Sequence, residues 1–152
     1  MNWLFESRLE TSLEAAVVKT AIALESLLIA SENENLRGPL AERAAFLLSD
    51  DYKRRFRIAK AVRAFYDLRS GIVHGARRRR ATHSPDLLEA ADRLLVLILL
   101  TLGCNAHRWA RFADLAAEVE ARKWGGGKDA LSRPYPGSHL SRALNLCERK
   151  SG

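Results

Sequence analysis

Apolar side chains recur at helical spacing along nearly the whole of this 152-residue chain. Between Leu9 and Ala30 they fall at intervals of three and four residues, which places them on one face of an α-helix. The apolar positions of this stretch are Leu13, Ala16, Val17, Ala21, Leu24, Leu27 and Leu28. No stretch of the sequence predicts a β-strand. The pattern therefore predicts an all-α fold that begins with one long helix.

Polar breaks and capping residues divide the following sequence into further helices. The segment NENLRG at 33–38 interrupts the apolar pattern, and a second, short helix follows it and ends near Ser49. Asp50 or Asp51 can cap a third helix, which we expect to end near His74. The buried stripe expected for this third helix is Phe56, Ala59, Val62, Phe65 and Tyr66.

A fourth helix is predicted from Ser84, a capping residue, and Pro85, which suits the first helical position. Its residues 94–102 are apolar nearly all round the helix. A helix of this kind is buried, either in a core or in an oligomer interface. An amphipathic pattern over 108–123 predicts a fifth helix after it.

The composition changes at residue 125 and suggests a boundary there. Three consecutive glycines begin the segment 125–152, and Pro134 and Pro136 follow them. Such a composition is typical of a linker. We therefore expect residues 1–124 to form a helical domain of four or five helices. Residues 125–152 are expected to form a linker and tail, in which 140–149 are either a short helix or disordered.

The positive charge is concentrated in one segment. Residues 52–80 contain 11 basic and 1 acidic side chains, whereas residues 1–51 have a net charge of −5 and residues 81–152 a net charge of +2. A local positive field attracts polyanions, and phosphate contacts supply most non-specific affinity for nucleic acids. The 19 arginines, against 6 lysines, suit bidentate phosphate binding. RNA or a nucleotide is the expected partner.

The sequence argues against several other classes of protein. Its two cysteines, Cys104 and Cys147, form no disulfide framework, and no cysteine or histidine pair has metal-ligand spacing. No glycine-rich phosphate loop is present. The apolar stretch 94–102 is about half the length needed to span a bilayer, and MNWLFESRLE does not have the pattern of a secretory signal. We therefore expect a cytoplasmic protein without metal, cofactor or membrane partner.

A short motif at the end of the third helix carries the strongest functional signal. The segment LRSGIVHG at 68–75 contains Arg69 and His74. Together with ALESLL at 23–28 and LRGPLAERAAFLL at 36–48, it resembles the HEPN domain superfamily, in particular the Apea-like branch. The resemblance implies a HEPN-like helical bundle. It also implies a two-fold dimer, and we expect the third and fourth helices to form much of its interface.

Context rather than spacing selects the candidate pair. HEPN domains carry an arginine and a histidine separated by four to six residues, and four pairs have that spacing here. They are Arg69/His74, Arg77/His83, Arg78/His83 and Arg133/His139. Only Arg69 and His74 lie at the end of an amphipathic helix, with Tyr66 before them and Gly75 after them. The resemblance covers roughly residues 4–102.

The resemblance implies a metal-independent endoribonuclease. Removing the proton of an RNA 2′-hydroxyl lets the oxygen attack the adjacent phosphorus, which leaves a cyclic phosphate and a free 5′-hydroxyl. His74 would serve as general base or acid, and Arg69 would clamp the phosphate. One histidine does not easily perform both proton transfers, and HEPN ribonucleases place two Arg/His sets in one dimer cleft. Phage defence or a toxin system, with a cognate antitoxin or a larger assembly, is the implied setting.

Further residues are candidates to support this pair. Ser70 and Tyr66 would hydrogen-bond a phosphate or sugar, and Glu25 would orient Arg69. The candidates for guiding the nucleic-acid backbone are Arg63, Arg77, Arg78, Arg79 and Arg80.

Two functions from other classes remain open at this point. One is a non-catalytic HEPN module that binds RNA or a nucleotide, or recruits a partner. The other is a purely structural dimer attached to a larger system. In both, Arg69 and His74 would join helices through hydrogen bonds, and Glu25 would be an ordinary helix-partner carboxylate.

Overall fold

The computed structural model describes residues 12–29, 36–74, 84–126 and 129–148, and all regular structure in these ranges is helical. An all-α fold is therefore confirmed for this part of the chain. Six α-helices lie in the described ranges: α1 (Leu13–Leu28), α2 (Arg37–Leu48), α3 (Tyr52–Val73), α4 (Ser84–Cys104), α5 (Phe112–Lys123) and α6 (Gly137–Glu148). A 3₁₀ turn, Ala106–Arg108, follows α4.

Side-chain hydrogen bonds cap the N-termini of α1 and α3. The Ser12 hydroxyl accepts a hydrogen bond from a backbone N–H three residues on, at 3.4 Å. The Asp51 carboxylate accepts one in the same way, at 2.8 Å. A cap of this kind typically contributes about 1 kcal/mol. Helix α1 begins at Leu13, later than the apolar pattern predicts, because Ser12 has an extended backbone and acts as the cap.

All six helices contribute to one core. The cluster of buried apolar side chains has members from each of α1 to α6, and Phe65 of α3 is among its largest fully buried residues. The most extensive helix pairings are α2 with α3 and α4 with α6. Burying a side chain such as Phe65 stabilises a fold by about 1.5–3 kcal/mol. The cluster as a whole is therefore the main source of the stability of the fold.

Helix α4 is the central helix of the core. Its residues Leu94, Leu95, Leu97 and Ile98 are almost completely buried, whereas Leu100 remains 43% exposed. The apolar stretch expected in a core or an interface therefore lies largely in the core of the single chain. No helix in the described ranges is long and apolar enough to cross a membrane.

The buried face of α3 differs from the expected one. Apolar spacing predicts Phe56 in the buried stripe, but this ring is 61% exposed, so that prediction is wrong. The buried residues of α3 are Ile58, Ala61, Val62, Phe65 and Leu68. Helix α3 carries apolar side chains on more than one side, and the packing of α2 and α4 against it determines which side is buried.

The chain beyond Gly126 contributes to the same core. The buried apolar residues of this part are Leu131, Leu140, Ala143, Leu144 and Leu146. Helix α6 packs on α4, and the sequence pattern gave no indication of this pairing. On α3, Arg57 forms a bidentate ion pair with Glu148 at 2.7 and 2.9 Å, so α6 is tied to α3 as well.

A buried asparagine holds the segment before α6 in place. Asn105 is 2% exposed and donates hydrogen bonds to the carbonyl oxygens of Thr101 and Ser132, at 2.7 and 2.8 Å. Its side-chain oxygen accepts a hydrogen bond from the backbone N–H of Ser132 at 3.0 Å. The Thr101 hydroxyl lies 3.0 Å from the Tyr135 hydroxyl. These bonds satisfy the buried polar groups where the segment crosses the end of α4.

Candidate active site

The end of α3 carries most of the residues that the sequence singled out. Tyr66, Arg69 and Ser70 lie in its last two turns, and His74 follows its last residue. The backbone N–H of His74 donates to the carbonyl oxygen of Ser70 at 3.0 Å, so helical hydrogen bonding continues up to His74. Five residues of a regular helix turn the chain by about 140°. Arg69 and His74 of one chain therefore lie on different sides of the helix.

Arg69 forms an ion pair with Glu25, which lies on α1. One guanidinium nitrogen of Arg69 lies 3.8 Å from a carboxylate oxygen of Glu25, and the two side chains are 24% and 19% exposed. This distance suits an ion pair but is too long for a hydrogen bond. The same Glu25 oxygen and Nε of Arg69 are buried without a hydrogen-bond partner. The pair is thus close enough to interact strongly, yet its hydrogen-bonding capacity is not fully used.

Tyr66 completes the surroundings of the guanidinium. The Arg69 guanidinium carbon lies 5.5 Å from the centre of the Tyr66 ring, within the range of a cation–π contact. Burial, and then the negative charge of Glu25, raise the pKa of the Tyr66 phenol above its ordinary value. The phenol therefore keeps its proton at neutral pH and remains able to donate a hydrogen bond.

Ser70 and His74 lie toward the solvent. Ser70 is partly buried and His74 is exposed. They are four residues apart and so lie on the same side of α3. The fold therefore brings Glu25, Tyr66 and Arg69 together as one cluster and leaves His74 accessible at the helix end.

Arg37 of α2 was not singled out from the sequence, although its side chain binds a residue of α3. Its guanidinium binds the Asp67 carboxylate through two hydrogen bonds, at 2.7 and 2.8 Å. Asp67 is the one acidic residue in the basic segment 52–80, which is the only hint in the sequence that it has a partner. That partner lies thirty residues upstream on α2, so spacing could not reveal it. The ion pair offsets the negative charge of Asp67.

Some basic residues of α3 are held by contacts within the chain, and others are exposed to solvent. Arg55 donates to the carbonyl oxygen of Asp50 at 2.6 Å and lies over the Phe46 ring, and Arg57 is held by Glu148. Arg63, a predicted nucleic-acid contact, is exposed. The remaining predicted contacts, Arg77, Arg78, Arg79 and Arg80, lie outside the described residues.

The described residues include both cysteines and several potential metal ligands. In the ranges that the structure describes, no group of three or more His, Cys, Asp or Glu side chains is placed to hold a metal ion. Cys104 is an exposed free thiol and Cys147 a partly buried one. Burial raises the pKa of Cys147 from 9.0 to about 11, so its thiol stays protonated.

No protein-family model, curated protein or solved structure matches this chain. The case for a HEPN domain therefore depends on the three sequence segments that resemble the family and on the cluster around Arg69.

Proposed function

We propose that this chain is a metal-independent endoribonuclease of the HEPN type, with Arg69 and His74 of two protomers forming one composite site. The observation that supports this best is the environment of Arg69. Its guanidinium is held between the Glu25 carboxylate and the Tyr66 ring, and Nε has no hydrogen-bond partner. The Arg69 side chain as a whole is 24% exposed, so an anionic ligand such as a phosphate can approach it from the solvent.

Each residue of the cluster has a role in such a reaction. His74, exposed at the helix end, would take the proton of the 2′-hydroxyl. Arg69 would stabilise the negative charge that develops on the phosphoryl oxygens during attack. The protonated Tyr66 phenol would donate a hydrogen bond to a phosphate or sugar oxygen. Glu25 would act as a positioning residue for Arg69.

The divergence of Arg69 and His74 favours a composite site. Because they lie about 140° apart on one helix, a second protomer supplies the simplest way to complete both functions. One His74 would accept the 2′-hydroxyl proton, and that of the partner protomer would protonate the departing 5′-oxygen. Val73 is 51% exposed beside His74, and Leu100 of α4 is also exposed. These apolar side chains are available for the expected dimer through α3 and α4.

The direct test is cleavage of labelled single-stranded RNA in EDTA by the wild type, His74→Ala and Arg69→Ala. His107→Ala and Arg93→Ala are matched controls, since both residues are exposed and lie on other elements. We expect cleavage with cyclic-phosphate ends by the wild type and both controls, and at least about a hundredfold loss on removing His74. If His74→Ala cleaves like the wild type, the assignment is wrong.

A non-catalytic RNA-binding module is the second candidate. The contact of Arg69 with Glu25 joins α3 to α1, so it would also serve a purely structural purpose. Such a module would show salt-dependent RNA binding in the wild type and in His74→Ala alike, and no cleavage by either. A toxin or defence role adds one more expectation: overexpression of the wild type should slow growth, and His74→Ala should relieve it.

A further inference from the structure

Two aromatic rings at the start of α3 are exposed to solvent. Tyr52 is 77% exposed and Phe56, one turn later, is 61% exposed. Single exposed apolar residues are common on protein surfaces, but two large rings one helical turn apart form an exposed apolar patch, and such patches often mark binding surfaces. Among the described residues, neither ring belongs to the buried apolar cluster or to the partly buried residues packed against it.

These rings lie on the same side of α3 as the candidate histidine. At about 100° per residue, Tyr52, Phe56, Arg63, Ser70 and His74 fall within about 40° of one another around the helix axis. We call these five residues the α3 stripe. With a rise of about 1.5 Å per residue, the stripe runs about 33 Å along the helix surface from Tyr52 to His74.

The charge along this side of α3 is positive. Lys53, Lys60 and Arg63 are all exposed and lie beside or within the α3 stripe. Two acidic residues lie near this side of α3, and both are held in ion pairs. Asp67 is bound by Arg37 at 2.7 Å. Glu148 is bound by Arg57 at 2.7 Å and also lies close to Lys60. Aromatic rings interleaved with cations suit a chain that alternates flat bases with phosphates. They suit a purely apolar partner less well, because the cations would then lose water without gaining a counter-charge.

We propose that the α3 stripe binds a single-stranded segment of RNA that leads to the site at His74. Bases would stack on Tyr52 and Phe56, and phosphates would lie along Lys60 and Arg63. Only unpaired bases expose the faces that can stack on side chains, so a duplex cannot use these rings. The inference rests on the proposed function in taking RNA as the ligand. It adds the surface that holds the single strand, far from the bond to be cut.

The test is a binding titration with the full chain. All proteins carry His74→Ala, which removes the proposed cleavage, and the probe is a fluorescein-labelled oligoadenylate, measured by anisotropy. Phe56→Ala and Phe56→Leu should each weaken binding about tenfold, within the range found for base stacking. Phe56→Trp should retain the affinity, since it keeps a flat aromatic face. Trp124→Ala is the matched control, because this ring, just after α5, is 80% exposed and lies outside the stripe.

Three outcomes of the binding and sedimentation experiments overturn the proposal. Binding of the single strand that is absent, or unchanged in Phe56→Ala, refutes the stripe. So does an equal loss for a duplex of the same length, because paired bases cannot stack on the ring and the loss would then have another cause. Conversion of a dimer to a monomer by Phe56→Ala in sedimentation would assign this surface to a second copy of the chain. Cleavage is assayed separately, so a stripe that binds RNA in a protein that never cuts it would refute only the ribonuclease.

Discussion

The ion pair of Glu25 and Arg69 should couple these two residues more strongly than a shorter pair on the surface. At 3.8 Å, two unit charges interact by about 4 kcal/mol for an effective dielectric constant of about 20. That value is a ceiling, because the pair makes no hydrogen bond and both groups lose water on folding. We expect a coupling free energy of about 1–2 kcal/mol, in the usual range for contacting residues.

The pair of Arg93 and Glu89 is the matched comparison. Its atoms approach to 2.7 Å, but its side chains are 45% and 50% exposed. Exposed pairs at this helical spacing contribute only about 0.3–0.5 kcal/mol, because solvent screens the attraction. Burial rather than distance should therefore decide which of the two pairs is stronger.

Two double-mutant cycles measure the difference. Urea unfolding would be recorded for Glu25→Gln, Arg69→Met and the double variant, and likewise for Glu89→Gln, Arg93→Met and their combination. An unchanged dependence on urea shows that each variant unfolds from a comparable native state. If the cycle of Glu25 and Arg69 gives no more coupling than the surface cycle, Glu25 does not hold Arg69, and its role as a positioning residue fails.

Three further predictions concern pH, thiol reactivity and the buried asparagine. Folding raises the pKa of Tyr66 above its ordinary 10.0, so the stability that this residue contributes is complete below about pH 10 and is lost as the pH rises further. In urea unfolding, Tyr66→Phe should make this loss of stability with pH less steep. An equally steep loss in the variant would contradict the prediction. Iodoacetamide at about pH 8 should label the exposed Cys104 quickly and Cys147 only after unfolding. The thiolate is the reactive form, and burial keeps the thiol of Cys147 protonated. Equal labelling rates in mass spectrometry would contradict the burial of Cys147. Asn105→Ala should lower the free energy of unfolding by about 1–3 kcal/mol, since it leaves backbone groups without partners; a loss below about 0.5 kcal/mol would mean that other groups replace the bonds.

The sequence predicted the course of α3 well. The expected helix, capped by Asp50 or Asp51 and ending near His74, agrees with Tyr52–Val73. A capping side chain and a long apolar pattern are local signals. The exposure of Phe56 was not predictable in the same way. It depends on which side of α3 the neighbouring helices cover, and that choice is made by packing between distant segments.

The candidate site was predictable to a similar degree. The motif at the end of α3 identified Arg69 and His74, and the resemblance suggested Glu25, which the fold places 3.8 Å from Arg69. Their roles stay predictions, as does the dimer. The contact of Arg37 with Asp67 joins residues far apart in the sequence, and no pattern within one helix reveals such a pair. The same applies to α6, whose position depends on an apolar surface of α4.

The packing of α6 also has a consequence for how the protein folds. Arg57 and Glu148 are separated by 91 positions, so their contact closes a very long loop. Contacts between distant positions slow folding, because the chain loses entropy before it gains the interaction. Until residue 148 has been synthesised, the part of α4 that α6 covers stays open to water. This exposed apolar surface of α4 is the kind of surface that chaperones bind during synthesis.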